Sequence, residues 1–393
     1  MIQKPIENIN RDDLLLLVND SVLEKKTLDY KEKFSGNSDS DKREFLKDIT
    51  SFANSSGGDI IYGIKEENGV PAEIIGIYNE EIDSKIRWIE DLVRQGVQPR
   101  IPGIKIQPID VADNKKALVI RIPKSWRSPH CVTFQNWSRF FARSSNGVYQ
   151  LDVDELRSAF VLSESLSEKI QNFKNDRIAN IVAGETLLRL NTKSNIVLQI
   201  VPISAFNIKA EKIDIKSVFN NQFFNTIYYG ASRKRINFEG MILYSEAIEA
   251  GKVDAYTQLY KNGIIEAVES SLLSSADESQ KFIPYVAFEE ALIKSTKQYI
   301  DFLKEVKVEL PYFIFITLTG VKGYEMPKSF NFYRGIEYKI DREILSSEVI
   351  ILEDFNTEID LLLRPVFDSI WNACGYTQSI NYDENGRFNP KKY

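Results

Sequence analysis

Three carboxylates and one lysine near the start of the chain have the residue types that phosphodiester chemistry needs. Glu24 and Asp29 lie five residues apart, Lys31 follows Asp29 at the two-residue step that puts both on one face of a strand, and Glu66 comes just beyond a strand ending at Ile64. Oxygen ligands of this kind hold Mg²⁺ or Mn²⁺, and an ammonium beside them neutralises a phosphate or orients a water. One candidate catalytic set is therefore Glu24, Asp29 and Glu66 as metal ligands, with Lys31 next to the scissile phosphate. The other reading of the same residues is a solvated ion pair on a strand face. His130 is the only histidine and Cys131 and Cys374 are the only cysteines, so a Cys/His zinc site cannot be assembled within one chain. No Ser or Cys elbow accompanies His130, which speaks against a nucleophile there.

A second chemistry is binding. The stretch 114–150 holds seven Lys or Arg and no Asp or Glu, in a chain whose net charge is −6. Trp126, Phe134, Trp137, Phe140 and Phe141 lie among those cations, so the segment supplies phosphate-pairing charge and flat rings for bases. Lys124, Arg127, Arg139 and Arg143 are the candidate phosphate contacts, Trp126 and Phe141 the candidate stacking groups, and Lys31 and Lys33 would extend the surface. The competing reading is a β-meander whose aromatics are core and whose cations solvate one face. Because the rest of the chain is acidic, binding is expected to be local.

The elements that must position these residues follow from periodicity. The pattern predicts a helix over Arg11–Asn19, a strand over Thr27–Phe34, a helix from Asp41 to the Asn54-Ser55-Ser56-Gly57-Gly58 turn, and a buried strand over Asp59–Ile64. Asn68-Gly69 marks a hairpin, and a helix is expected around Asp83–Gln95. Strands at Ile104–Pro108, Ala117–Ile122 and Arg139–Arg143 and a helix over Asp152–Ser163 complete an α+β domain. The expected division is a first domain over 1–163, a polar helical connector over 164–176 and a second α+β domain over 177–393. In the latter, Ile196–Ile203, Phe238–Tyr244 and Tyr312–Thr319 read as strands and Ala255–Leu272 and Val286–Val306 as helices. The double glycine after the second helix is not a phosphate loop: a helix C-terminus repels phosphate, and no Gly-Lys-Ser/Thr follows. At 43% hydrophobic residues the chain folds, and with no signal-peptide core, no membrane-length apolar run and no disulfide framework it is expected to be cytoplasmic.

Five blocks in order, Leu28-Asp29-Tyr30-Lys31, Ser51 to Gly58, Tyr62-Gly63-Ile64, Ile75-Gly76-Ile77 and Phe140-Phe141-Ala142-Arg143-Ser144-Ser145, resemble the signatures of the Schlafen-type AlbA-like domain over residues 13 to 160. The resemblance implies a bacterial nucleic-acid-binding protein, DNA or RNA, acting as a regulator or defence effector. Some Schlafen members are metal-dependent ribonucleases that cut transfer RNA with two glutamates five residues apart and a later aspartate. Glu24 and Asp29 reproduce that separation and Glu66 falls at the later position, although Asp29 and Glu66 exchange the acid types and Lys65 stands where a second acid is common. Eukaryotic Schlafen cores pair two such lobes in one chain, so a single copy implies a homodimer. An ATP-binding label given to many relatives finds no phosphate loop here. Phe238-Glu239-Gly240, Tyr256 to Glu266 and Arg364-Pro365 to Trp371-Asn372 resemble a domain that follows the AlbA-like module in bacterial proteins, with Trp371 and Asn372 open to a packing reading.

Overall fold

A computed structural model describes all residues except 35–37, 146, 208–209, 221–223, 229, 248, 250, 274–280, 327–337 and 391–393. The side chains of 79–81 also lie outside the description. The chain divides into two compact units, Met1–Leu166 and Ser167–Tyr393, both α+β.

The first unit opens with α1 (Arg11–Asn19), β1 (Leu28–Lys31), α2 (Asp39–Ala53), β2 (Gly58–Tyr62), β3 (Ile64–Glu67), β4 (Val70–Ile74) and β5 (Ile77–Tyr78). It continues with α3 (Asn79–Gly96), β6 (Val97–Gln98), β7 (Lys105–Ala112), β8 (Lys115–Ile122), β9 (Cys131–Phe134), β10 (Trp137–Ser144) and β11 (Gly147–Gln150). A five-stranded sheet is centred on β8, with β7 along one side and β2 and β5 along the other; β1 adds to β2 in parallel. The order β11-β10-β9-β6 makes a second sheet, and β3–β4 is a separate hairpin closed at Asn68-Gly69.

Helix α2 packs between the two sheets because its apolar residues recur at helical spacing. Phe45, Ile49 and Phe52 are buried with Ile60, Ile120, Val132 and Phe141, while Leu28, Tyr30, Ile61 and Val119 pack on the other side of the first sheet. Ser38 and Asp41 form a capping box at its start. Its end is set by glycine chemistry: Gly57 has φ +67°, its N–H bonds the carbonyl of Phe52, and a Cβ there would lie 2.6 Å from the backbone nitrogen of Lys124. The expected single strand Asp59–Ile64 breaks at Gly63, whose φ of +93° turns the chain and whose would-be Cβ is 3.1 Å from Cα of Gly76. The two glycines of the Tyr-Gly-Ile and Ile-Gly-Ile blocks thus meet back to back, and the carbonyl of Gly63 accepts from the N–H groups of Ile75 and Gly76.

Helix α4 (Val153–Ala183) runs through the end of the first unit into the second, so the expected helix and polar connector are one element. The second unit then contains β12 (Asn195–Pro202), α5 (Ile215–Asn220), β13 (Arg233–Ile236), β14 (Gly240–Glu246), β15 (Val253–Tyr260), β16 (Ile265–Glu269), α6 (Tyr285–Glu305), β17 (Tyr312–Thr319), β18 (Ile344–Ser346), β19 (Ile350–Leu352) and α7 (Ile359–Ala373). Its antiparallel sheet has the order β13-β14-β15-β16-β12-β17, with β18 and β19 both on β17. The expected helix over Ala255–Leu272 is instead the β15–β16 hairpin, turned at Asn262-Gly263 with Gly263 at φ +90°. Both strands are buried almost throughout, so the period-two alternation of a half-exposed strand is missing and the apolar run looks helical.

Trp371 is 1% exposed, and its indole N–H donates to Glu289 at 2.7 Å, so this residue is packing. Glu289, itself fully buried, also accepts from the Ser379 hydroxyl and fastens the C-terminal segment to α6. Burial, opposed by these donors, pushes its carboxyl up to about 7. On the other sheet face, Arg177 of α4 makes a two-pronged ion pair with Glu266 at 2.8 and 2.9 Å, which Gln199 and Tyr256 complete. No helix among the described residues is long and apolar enough to cross a membrane.

Candidate nucleic-acid interface

Strand β1 places Asp29 and Lys31 toward α2, as their alternation predicts. There Asp29 is 3% exposed and held from two sides: Arg143 of β10 donates to Oδ1 at 2.6 Å, and the Lys31 ammonium lies 2.8 Å from Oδ2. The Arg143 guanidinium also rests 4.4 Å over the Phe52 ring, and its backbone N–H bonds the Ser55 hydroxyl at 2.7 Å. Burial alone would raise the Asp29 pKa, but Lys31 and Arg143 outweigh it and hold the carboxyl below its usual range.

A second acid joins this cluster, one that the motif reading missed. Asp48 of α2 stands 3.7 Å from the Lys31 ammonium, and burial, partly offset by Lys31, raises its pKa to about 6. The signal was an acid at the second position of the stripe Phe45-Asp48-Ile49-Phe52, where the period demands an apolar residue. Glu24 approaches from the β1 edge, where its carboxylate accepts the Tyr30 N–H at 2.7 Å; burial raises its pKa, the Tyr30 bond opposes this, and Asp29 adds to it. Lys31 is held above its usual value because Asp48 and Asp29 outweigh its own desolvation.

Glu66 meets this cluster only at its Glu24 end, through Gly69, whose carbonyl accepts the Glu24 N–H at 2.8 Å. It is exposed, and its carboxylate accepts the N–H of Gly69 to close the β3–β4 turn. Among the described residues no three His, Cys, Asp or Glu are grouped so as to hold a metal ion. Since both Asp29 oxygens already face cations, the expected set of Glu24, Asp29 and Glu66 does not fit Mg²⁺ or Mn²⁺ as the side chains stand.

The cations of 114–150 also divide. Lys116 pairs with Asp110 at 3.1 Å, Arg121 makes a two-pronged pair with Asp59 at 2.7 and 3.0 Å, and Arg143 is committed to Asp29. Arg143 is 8% and Phe141 6% exposed, so neither the expected phosphate contact nor the expected stacking ring is presented at the surface. Lys31 is likewise occupied by carboxylates. Lys33, Lys124 and Arg139 are exposed, and half-buried Trp126 carries the Arg127 guanidinium 4.7 Å over its ring.

Other elements supply cations that the stretch itself did not reveal. Lys42 and Arg43 of α2 lie 5.8 Å over the rings of Phe134 and Trp137 respectively, and Lys85 of α3 lies 5.5 Å over Phe34 and 5.9 Å over Trp88. Asn54 fixes this region: its amide donates to the carbonyls of His130 and Phe141 at 2.9 and 2.8 Å and accepts the His130 N–H at 2.6 Å. His130 itself is buried, bonded through Nδ1 to the Pro99 carbonyl, and pushed down by burial to about 4, which keeps it neutral.

These positions coincide with a known family, since residues 24–152 match the model of the family described as Schlafen, AlbA_2. The chain carries a Schlafen AlbA_2 domain. The AlbA_2 match begins at Glu24 and takes in Asp29, Asp48, the Asn54 turn, both back-to-back glycines and Arg143. Among solved structures, the DIP2311 protein of Corynebacterium diphtheriae is similar at 18% identity and a TM-score of 0.25. That likeness covers 36% of this chain and 27% of that protein, and carries no argument about fold or function. No curated protein matches the chain.

Proposed function

We propose that the AlbA_2 domain binds nucleic acid through cations that folding leaves at its surface. The observation that carries this reading is the sorting of charge within a matched AlbA_2 domain. Arg121 and Arg143 are used internally and Lys116 is paired with Asp110, whereas Lys33, Lys124 and Arg139 are exposed and Arg127, Lys42, Arg43 and Lys85 lie over aromatic rings. Phosphate contacts of this kind act without base specificity and release counterions, so they serve DNA and RNA alike. The finer part of the reading is a homodimer that joins two such domains into one longer cradle and acts as a regulator or defence effector; the mass of the particle in solution tests the pairing.

The test is one gel. Total transfer RNA and duplex DNA are incubated with the protein in Mn²⁺ or in EDTA, beside the double variant Lys124→Glu/Arg139→Glu and the variant Glu24→Gln. The expected result is retarded, intact nucleic acid in both buffers, with binding weakened at least about tenfold in the double variant, since each reversed phosphate contact removes a charge-assisted bond. No retardation at low salt would sink the proposal. Cleavage that needs Mn²⁺ and is lost in Glu24→Gln would replace it with an endoribonuclease reading.

A further inference from the structure

The rings beneath Lys42, Arg43 and Lys85 pack on the edge of the first unit's core and are only half-buried. Phe134 and Trp137 face one another across the end of the β9–β10 hairpin, which Gln135 and Asn136 close with φ of +53° and +58°. Both are half-buried, and above them lie the two side chains of α2, with Arg43 also reaching the Gln135 carbonyl. A second group stands nearby in the fold. Phe34 stacks flat on Tyr62 at 4.0 Å and 9°, Trp88 meets Phe34 edge-on at 6.4 Å, and Trp88 packs on Phe45 of α2 at 5.3 Å. Lys42 and Phe45 are three residues apart on α2, hence on one side of the helix and about 5–6 Å apart at Cβ. The two aromatic groups therefore flank the same stretch of α2.

In each group a ring surface is covered by a cation on a flexible stem, at a distance where the attraction is weak and, with water near, weaker than the stacking of a base on the same ring. A base that enters gains the ring face. The displaced ammonium or guanidinium does not lose its role, because the phosphate attached to that base arrives beside it. Duplex DNA cannot make this exchange, since its base faces are already stacked on one another, whereas a single strand can.

We propose that the AlbA_2 domain prefers single-stranded nucleic acid, with bases on the Phe134/Trp137 and Phe34/Trp88 groups and with Lys42, Arg43 and Lys85 moving from ring to phosphate. This rests on the nucleic-acid reading above, and the following experiment separates the two. The 393-residue protein is titrated with a short oligothymidylate and with the duplex of the same length, following tryptophan emission and anisotropy of a labelled strand. The expected result is at least about tenfold tighter binding of the single strand, accompanied by quenching, because each stacked base contributes about tenfold or more. Phe134→Leu keeps an apolar side chain at the site and should cost the single strand about tenfold while leaving the duplex unchanged. Trp137→Phe retains a stacking ring, so it should bind the single strand nearly as wild type but with reduced quenching. Equal affinity for both forms, lost equally in Phe134→Leu, would overturn the preference and leave general binding standing. Binding of neither form by protein with an unchanged melting curve would overturn both.

Discussion

Asp29 separates the two chemistries that the N-terminal motif could perform. A metal ligand must offer an oxygen, and Asp29 offers one to Arg143 at 2.6 Å and the other to Lys31 at 2.8 Å. Such a pair, once buried, resists the removal of one partner far more than its net value suggests, because the remaining charge cannot regain water. Arg143→Ala should therefore destabilise the first unit by about 3–5 kcal/mol, and Arg143→Ala with Asp29→Ala should recover part of that loss; denaturant titration of the three proteins checks it. A second buried acid gives a prediction in pH. Glu289 titrates near 7 in the folded chain against an ordinary 4.5, so between those values the folded state binds the extra proton. Stability must then fall as pH rises from about 4.5 to about 7 and be flat in this group above that. Asp48, raised to about 6, adds a fall of the same sign that ends sooner. Glu289→Gln keeps an acceptor for the Trp371 indole and removes the titration, so its melting temperature should drop less than that of wild type across the same interval. Equal slopes would show that Glu289 is not the group responsible.

At the scale of elements, the boundaries were legible where chemistry is local. The Arg11–Asn19 helix, the glycine stop after α2 and the Asn68-Gly69 hairpin follow from caps, turns and period, and the fully buried strands β12 and β17 from short apolar runs rich in β-branched and aromatic residues. The β15–β16 hairpin was not legible, because full burial erases the alternation and leaves Asn262-Gly263 as the one signal that outweighs a helical apolar run. Partners far along the chain were hidden for a different reason. Asp29 and Lys31 sharing a face could be read from spacing, but that Arg143, 114 residues away, would take an oxygen could not. Asn54 shows the same limit: its place in a turn was evident, while its bonds to His130 and Phe141 span 76 and 87 residues. Since those bonds tie the end of α2 to β9 and β10, Asn54→Ala should leave buried backbone groups without a donor and an acceptor and cost about 2–4 kcal/mol. Asn54→Asp keeps the acceptor for the His130 N–H but sets a carboxylate oxygen against the His130 and Phe141 carbonyls, so it should cost at least as much as Asn54→Ala. Amide exchange at His130 is the local readout, and unchanged protection there in Asn54→Ala would show that the turn holds itself.

Charge at the scale of the molecule decides how such a domain can bind at all. Residues 1–166 contain 23 Lys or Arg and 26 Asp or Glu, so even the unit that carries the AlbA_2 match is net acidic, as is the whole chain at −6. A diffuse attraction to a polyanion is therefore not available, and binding must come from a few cations held close to phosphate against a repulsive background. Two consequences can be separated by experiment. The dependence on salt must be steep but bounded, because Lys33, Lys42, Arg43, Lys85, Lys124, Arg127 and Arg139 are the cations in question: with a slope of about −0.7 per phosphate contact on a single strand, log K against log salt should not be steeper than about −5. The effect of charge reversal must also depend on place. Lys124→Glu should flatten that slope by about 0.7 and weaken binding, whereas Lys294→Glu, an exposed change on α6 with the same effect on net charge, should leave both unchanged. If the two reversals weaken binding alike, the protein responds to net charge and the cations placed around α2 and the β9–β10 hairpin are not a site.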